Sequence, residues 1–512
     1  MLPKDITKVT LGEPISLEDL VAVSRFKAKV EFSDKYCQRV LASRQLVEKW
    51  IEEKKVMYGV NTGFGALSSK MIMPEETVQL QKNILLSHAT SVGDPLKEEE
   101  VRAVMLMVLQ NLGQGYSGVR LEILDMYKEF LNKGLTPFAP GEGSVGYLSI
   151  EAHIALVLIG EGMAYINGEL LPATKALRKI NAEPIQLSAK EGLALINGTT
   201  SPTGIGALAL FDMLMASKTA DIIGAMALEV LKGTVRAFDD NLMSVRPHKD
   251  QRDTAFNIRT ILSDSSISKK FMDYRLQDAL SLRAIPQLHG AAKKTLNDAL
   301  KTFDIEMNAC CDNPIIWPDE ENARAISGCN CDSSYIGIEL DSACIAATAI
   351  AKMSERRNSR LINSRLSDLP SFLVEKPGLN SGLMIPQYTQ AGLLNDMKIL
   401  SHPSTVDNIS TSADQEDYVA MGYNAAKKAR KIAEKLEFIL AIELLSIYQA
   451  FHLIEEDLSP GSASSAVLSR ISELVPELDQ DLYLYPYIQS LRELIHSNKI
   501  IYIVEETIGH PL

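Results

Sequence analysis

Long apolar runs and an excess of basic residues are both missing from this 512-residue sequence. No stretch approaches the roughly 18 uninterrupted apolar residues of a membrane span, and no basic segment followed by an apolar one opens the chain. Lys and Arg number 52 against 65 Asp and Glu, which gives a net charge of −13. Phosphate binding needs basic patches, so this balance argues against nucleic acid. We expect a cytoplasmic protein with neither a membrane nor a nucleic acid as partner.

Cysteines are few, and none has the spacing of a zinc ribbon. Cys310 and Cys311 are adjacent, and Cys329 and Cys331 are separated by one residue. Zinc sites of the ribbon type place two residues between paired ligands, and adjacent cysteines are poor co-ligands. The sequence therefore predicts no metal site and free thiols in a reducing compartment.

Apolar residues recur at helical spacing through most of the chain, whereas strand-like alternation is rare. The longest patterns cover Thr203–Thr234, Cys344–Leu366 and Tyr423–Ile454. Two of these three patterns exceed 25 residues, a length typical of helices packed side by side in a bundle. We predict a mostly α fold in two closely joined parts: a mixed, mainly helical part over residues 1–200, and a long-helix bundle with a C-terminal helical part over residues 201–512.

Five motifs in order resemble the aromatic amino acid lyases, the superfamily of histidine, phenylalanine and tyrosine ammonia-lyases. The matching segments are Tyr58-Gly59-Val60-Asn61-Thr62-Gly63-Phe64-Gly65, Gly143-Ser144-Val145-Gly146, Glu191 to Thr199, Gln277 to Gln287, and Thr411 to Asp417. The resemblance covers roughly residues 5 to 455. It implies the long helical bundle of that family, which is of the fumarase/aspartase type, and a homotetramer whose active sites combine residues from three subunits.

The resemblance also assigns roles around the reacting atoms. Tyr58 would remove a proton from the β-carbon of the substrate, on a glycine-rich loop that suits a mobile lid. Arg283 would bind the substrate carboxylate, a task that suits a planar guanidinium. Asn197 and Gln277 would add hydrogen bonds near the α-carbon.

Three further residues point to the ring of the substrate. Ser87 and His88, together with Glu416, match the pairs found in lyases of the histidine type. An imidazole needs polar partners for its two nitrogens, and a carboxylate such as Glu416 can accept from or protonate one of them. The substrate is therefore predicted to contain an imidazole.

The chain departs from the family at the loop that carries the prosthetic group. In relatives, Gly-Ser-Val-Gly is followed by Ala-Ser-Gly, which cyclises into the electrophilic methylidene-imidazolone (MIO). Here Gly146 is followed directly by Tyr147, and Leu280 replaces a tyrosine that lies near that group in relatives. Cys331 and Asp332 stand where histidine lyases carry Phe-His. These changes predict a protein without MIO or any other cofactor.

A lyase without its electrophile needs a substrate whose leaving group is already activated. A quaternary trimethylammonium leaves as neutral trimethylamine, so we predict β-elimination of trimethylamine from ergothioneine, an amino acid betaine with a thioimidazole ring. Tyr147 would offer an aromatic face to the trimethylammonium, and Asp332 a carboxylate. Asn313 and Cys331 complete the predicted substrate contacts. Two alternatives remain: a histidine ammonia-lyase whose modified residue is missing from the written sequence, and a non-catalytic lyase-like scaffold.

Overall fold

The computed structural model describes residues 2–53, 55, 76–319, 321–454 and 458–512. Its architecture is mostly α-helical, as predicted. The helices are α1 (Leu17–Arg25), α2 (Asp34–Glu52), α3 (Thr77–His88), α4 (Glu98–Leu112), α5 (Leu121–Lys133), α6 (Ser149–Leu156), α7 (Ala173–Lys179), α8 (Glu191–Ile196), α9 (Thr200–Val230), α10 (Asp240–Ser244), α11 (Lys249–Ile261), α12 (Ser266–Lys270), α13 (Leu280–Arg283), α14 (Ile285–Glu306), α15 (Ser334–Leu361), α16 (Ser364–Ser367), α17 (Met384–Leu400), α18 (Gly422–His452), α19 (Ser462–Ser472), α20 (Tyr485–His496) and α21 (Lys499–Ile508).

The three longest periodic patterns each correspond to a long helix. They form α9, α15 and α18, which contain 31, 28 and 31 residues. Each buries one apolar face, as shown by Leu208, Ile350 and Leu440, although α15 leaves Ile338 and Ile345 exposed. Burial of one face, rather than local propensity, stabilises most protein helices, so the periodicity was sufficient to predict these three. In the described ranges, no helix combines the length and the apolarity that crossing a bilayer requires.

Short strands were not predicted. They are β1 (Lys8–Leu11), β2 (Lys29–Phe32), β3 (Val92–Pro95), β4 (Leu135–Pro137), β5 (Pro140–Glu142), β6 (Met163–Ile166), β7 (Glu169–Pro172), β8 (Ile315–Trp317) and β9 (Arg324–Ile326). β1 and β2 pair in parallel, whereas β3–β5, β4–β6–β7 and β8–β9 are antiparallel. Segments of three or four residues are too short to show the alternation that identifies a strand.

The chain forms two compact units, each assembled from three stretches of sequence. The first contains residues 1–209, 300–340 and 403–427; the second contains residues 210–299, 341–402 and 428–512. Each unit is discontinuous in sequence, so the units do not correspond to the predicted parts 1–200 and 201–512. The predicted boundary near residue 200 stays a prediction.

Within the first unit, α3, α6 and α8 pack against one another and support the loops of interest. The Gly192 amide of α8 donates to Gln81 Oε1 of α3 at 2.7 Å. A Cβ atom on Gly192 would lie 2.6 Å from the Gln81 carbonyl oxygen, so only glycine permits this approach. The Leu148 amide, just before α6, donates to the Ile196 carbonyl at the end of α8 at 3.1 Å. The loops before α6 and after α8 are thereby held side by side.

Candidate active site

The loop before α6 is tightly bonded and strained. The Ser144 hydroxyl accepts from the Gly146 amide and donates to the Tyr147 carbonyl, both at 3.3 Å. Leu148 has φ 79° and ψ −64°, and the Ser149 amide donates to the Tyr147 carbonyl at 3.2 Å. This is a γ-turn of the rare, strained kind. Strained backbone of this sort persists only where its surroundings hold it, and it concentrates at functional sites.

This loop brings Tyr147 to Glu416. The Tyr147 hydroxyl donates to Glu416 Oε2 at 3.0 Å, and the Thr411 hydroxyl donates to the same oxygen at 3.2 Å. Burial, followed by the negative charge of Glu416, raises the pKa of Tyr147 above its ordinary value. Tyr147 therefore stays protonated and acts as a donor. Sequence reasoning identified Glu416 but missed Thr411, whose bond to Glu416 follows from the motif Thr411–Asp417 closing on itself.

Asn197 and Asn313 are also brought together. The buried Asn197 amide donates to the Asn313 carbonyl at 2.6 Å, and its own oxygen accepts from the Gly198 amide at 3.1 Å. Behind them, Lys190 Nζ and Asp312 Oδ2 form an ion pair at 2.6 Å in which neither side chain is exposed. This pair fixes the loop that presents Asn313. Sequence reasoning missed it, because nothing in the sequence links residues 122 positions apart.

Cys331 and Asp332 lie at the start of α15. Cys331 is buried, and its Sγ atom is 3.8 Å from that of the exposed Cys329. Asp332 Oδ1 accepts from the Ser334 amide at 2.8 Å and so caps the helix. This bond gives Asp332 a structural role, and its contact with a substrate stays a prediction.

Ser87 and His88 end α3 and contact each other. His88 Nδ1 lies 2.8 Å from the Ile84 carbonyl and 3.0 Å from the Ser87 hydroxyl. A carbonyl oxygen only accepts, so Nδ1 carries a proton and Nε2 is the ring nitrogen left to face outward from this bond. The Ser87 hydroxyl also reaches the Ile84 carbonyl, at 3.2 Å.

Gln277 and Arg283 belong to the second unit, and Tyr58 lies outside the described residues. Arg283 Nε donates to the Asp278 carbonyl at 2.9 Å, which orients the guanidinium. Gln277 is exposed. Their predicted roles are not tested by contacts with the residues described above.

Glu191, the first residue of the Glu191–Thr199 motif, has a structural role. Glu191 is fully buried and accepts from Arg120 through both oxygens at 2.8 Å, and from the Ser188 amide at 2.7 Å. This network ties the start of α8 to the loop before α5. The match of Glu191 to the lyase motif therefore reports the scaffold of the site.

The group of side chains best placed to surround a metal ion does not suit a cation. Asp212, Glu437 and His496, in the second unit, place ligand atoms within 4.8 Å of one another. However, Arg430 pairs with Asp212 and Arg492 with Glu437. Two guanidiniums already neutralise both carboxylates, so a metal ion would have to displace them.

Similarity to known proteins covers almost the whole chain. The histidine ammonia-lyase of Streptococcus gordonii is 43% identical over 502 residues, which are 97% of each chain. The structure of histidine ammonia-lyase from Trypanosoma cruzi matches with a TM-score of 0.92 and 35% identity, covering 98% of this chain and 95% of the other. Ergothionase from Treponema denticola matches with a TM-score of 0.89 and 27% identity, covering 96% and 99%.

These similarities overturn the predicted reaction. Elimination of trimethylamine from ergothioneine was inferred from a three-residue gap, whereas identity over the full length associates the chain with histidine ammonia-lyases. The predicted betaine substrate is wrong for the same reason. Without a betaine, there is no trimethylammonium for the ring of Tyr147 to bind. The Tyr147 hydroxyl donates to Glu416, and its contact with a substrate stays a prediction.

The prediction that no prosthetic group is used is also wrong for proteins of this kind, because aromatic amino acid lyases use MIO. The residues of this loop nevertheless do not fit that group. Gly146 runs straight into Tyr147, and a Cβ atom on Gly146 would lie 2.8 Å from Ser333 Oγ. The Ala-Ser-Gly sequence that would cyclise has no counterpart between Gly146 and Tyr147.

The model of the family described as aromatic amino acid lyase matches residues 15–473. Members of that family are homotetramers that act on small amino acids. This match agrees with the full-length identity to histidine ammonia-lyases and with the long-helix architecture. The chain therefore belongs to the aromatic amino acid lyase family.

Proposed function

We propose that this protein is a carbon–nitrogen lyase that converts histidine to urocanate and ammonia. The observation that supports the proposal is the half-buried Glu416 carboxylate, which is oriented through one of its two oxygens. The full-length similarity to proteins named histidine ammonia-lyase supports the same substrate.

The two oxygens of Glu416 are in different situations. Oε2 accepts from the hydroxyls of Tyr147 and Thr411. Oε1 makes no hydrogen bond to any residue in the described part of the chain. A carboxylate fixed through one oxygen is oriented, and its other oxygen can accept an N–H from a ring. In this proposal Glu416 binds the imidazole and favours the protonated ring, which makes the adjacent β-carbon more acidic.

His88 suits a second contact with the substrate. Because its Nδ1 proton is bonded to the Ile84 carbonyl, Nε2 can accept a hydrogen bond from the substrate. The ring is half-buried, which leaves it accessible while its orientation is fixed.

Arg283 and Tyr58 complete the proposed machinery. The Nε atom of Arg283 is occupied by the Asp278 carbonyl, so its two terminal nitrogens are suited to a bidentate bond with the substrate carboxylate. Tyr58 is the proposed base for the β-proton. Asn197 and Asn313 hold each other, and Gln277, Cys331 and Asp332 are assigned to the surrounding wall.

The assembly and location belong to the same proposal. Family members are homotetramers, and we extend that state to this chain. All six cysteines are free thiols, which fits a reducing compartment such as the cytoplasm.

The test is to incubate the purified, full-length protein with L-histidine and to measure urocanate and ammonia together. The two products are expected in equal amounts. Glu416→Gln keeps the shape of the side chain and removes its charge, and it is expected to lower kcat/KM. Asp407→Asn changes an exposed carboxylate in the same region and should leave kcat/KM unchanged.

Absence of both products from histidine would overturn the proposed substrate. Release of trimethylamine from ergothioneine by the same preparation would reinstate the rejected reaction. Intact mass and near-ultraviolet absorbance of the native protein would report independently whether a modified residue is present.

A further inference from the structure

Two thiols meet at the start of α15, in the turn Gly328–Asp332. Cys329 Sγ and Cys331 Sγ are 3.8 Å apart. Cys329 is exposed, whereas Cys331 is buried. A single tight turn thus places a thiol that solvent can reach beside one that solvent cannot.

Hydrogen bonds anchor this turn at both ends. The Gly328 amide donates to Asn313 Oδ1 at 2.7 Å, and the Asp332 amide donates to the Cys329 carbonyl at 3.1 Å. Asp332 in turn caps α15 through the Ser334 amide. The two sulfur atoms are therefore held close together by the fold rather than by chance rotation of two free side chains. A disulfide needs a sulfur separation of about 2.05 Å, which requires a contraction of less than about 2 Å.

The pair adjoins the candidate active site, and its two members differ chemically. Both thiols are near enough to the Tyr147 hydroxyl to contribute to its raised pKa. Burial, followed by the charge of Cys329, raises the pKa of Cys331. A thiol with a raised pKa is a slow first nucleophile, but it can still resolve an oxidised neighbour.

We propose that Cys329 and Cys331 form a redox-active dithiol that a peroxide converts reversibly into a disulfide in the wall of the active site. The Cys329 sulfur attacks one peroxide oxygen, the O–O bond breaks, and one water leaves, giving a sulfenic acid. The Cys331 sulfur then attacks that sulfur and displaces a second water. Both thiol protons end in water, the two sulfurs lose two electrons in total, and the peroxide gains them.

The remaining chemistry of the turn favours oxidation over metal binding. Structural zinc sites need four ligands. The cluster of three or more ligand atoms found in the described part of the chain is Asp212, Glu437 and His496, in the other compact unit. Among the described residues, no third His, Cys, Asp or Glu ligand atom groups with the sulfur atoms of Cys329 and Cys331.

The experiment exposes the reduced, full-length protein to limiting hydrogen peroxide, alkylates the remaining thiols under denaturing conditions and measures intact mass. We expect two of the six thiols to resist alkylation. A loss of about 2 Da should map to the peptide that contains Cys329 and Cys331, and dithiothreitol should restore all thiols. The pair should oxidise at least about tenfold faster than Cys37, a partly exposed free thiol.

Three variants separate the roles. Cys331→Ser should stop at a sulfenic acid on Cys329, which dimedone traps. Cys329→Ser should lose no thiols at the same dose, and Cys37→Ser should behave as the parent. A disulfide mapped to any other pair, or a parent protein in which Cys329 proceeds to a sulfinic acid, would overturn the proposal. Since mass is the readout, the result does not depend on the proposed substrate.

Discussion

Buried carboxylates have different hydrogen-bond partners in two regions of the molecule. In the second unit, Glu443 accepts from Arg357 at 2.6 and 2.9 Å, and neither side chain is exposed. In the first unit, Glu151 of α6 is also fully buried, but among the described residues its hydrogen bonds come from the Ser201 amide at 2.8 Å and the Thr200 hydroxyl at 3.0 Å. One carboxylate is neutralised by a cation, whereas the other is solvated by neutral donors alone.

The same contrast extends to the candidate site. Glu416, like Glu151, receives neutral hydroxyl donors. Neutral donors orient a carboxylate without supplying the opposite charge that an adjacent guanidinium adds. The difference is local, since Lys190 and Asp312 form a buried ion pair in the first unit too. Ion pairs thus support the scaffold, whereas the carboxylates at and beside the Tyr147 loop are held by neutral donors.

The largest effect is expected from breaking the scaffold pair. Arg357→Met keeps most of the side-chain volume but leaves Glu443 buried without its cation, so unfolding should become easier by about 3–5 kcal/mol. Arg236→Met, whose side chain and whose partner Asp273 are 63% and 73% exposed, should cost less than about 1 kcal/mol. Chemical denaturation measures both.

A double variant guards this test against simple misfolding. Arg357→Met combined with Glu443→Gln removes both charges and should recover at least half of the lost stability. If the double variant is as unstable as the single one, the cost arises from packing and not from the unpaired charge.

The next largest effect is expected at the candidate site. Glu416→Gln should lower kcat/KM for histidine on the order of 100-fold, because a bond between charged partners in a shielded site contributes about 2–3 kcal/mol. Its thermal unfolding should stay close to that of the parent, since no cation is left unpaired. A stability loss as large as that of Arg357→Met would show that Glu416 belongs to the scaffold and would end the comparison.

Tyr147→Phe sharpens the comparison by removing one neutral donor. The hydroxyl orients Glu416 without touching the reacting atoms in our proposal, so kcat/KM should fall about fivefold to tenfold, corresponding to about 1–1.4 kcal/mol. The pH profile of kcat/KM should also shift, because Glu416 loses a donor that favours its ionised form. A variant with normal pH dependence would make Tyr147 a packing residue. Phe138→Leu, which alters an aromatic side chain outside this hydrogen-bond network, serves as the control.

The sequence was sufficient for the long helices and for one member of the Tyr147–Glu416 contact. Periodicity identified α9, α15 and α18 because a long helix repeats the same signal many times. The motif around Thr411 led to Glu416. By contrast, the partner of Glu416 is Tyr147, 269 residues away, and such a contact has no local signature. The strained turn at Leu148 was also hidden, because leucine rarely adopts a positive φ.

The predicted reaction failed for a related reason. The gap after Gly146 was interpreted through the leaving group of a substrate, although one loop says little about which ring and which amine the remaining walls accept. The similarity to histidine ammonia-lyases, by contrast, covers 97% to 98% of the chain. The similarity of the whole chain is therefore a better guide to the substrate than the gap in one loop.

The smallest effect is expected from Glu151→Gln, and it tests the comparison through pH. Burial raises the pKa of Glu151 above the ordinary value of a glutamate, about 4.5. The stability contributed by the protonated form is therefore complete below that unfolded value, and it is lost as the pH rises through the folded pKa. Glutamine keeps an oxygen for the Ser201 amide and cannot ionise. At neutral pH the variant should be more stable than the parent by about 0.5–1 kcal/mol, and near pH 4 the two should be equal.

Denaturant unfolding over a series of pH values measures this difference, with Glu76→Gln as an exposed control that should show none. A Glu151→Gln protein that is less stable than the parent at neutral pH would mean that the ionised carboxylate is favoured in the folded state. A hidden positive partner would then be required, and Glu151 would belong with Glu443 rather than with Glu416. Equal curves at every pH would instead show that the neutral donors solvate the buried charge as well as water does, and the contrast between the two regions would lose its energetic basis.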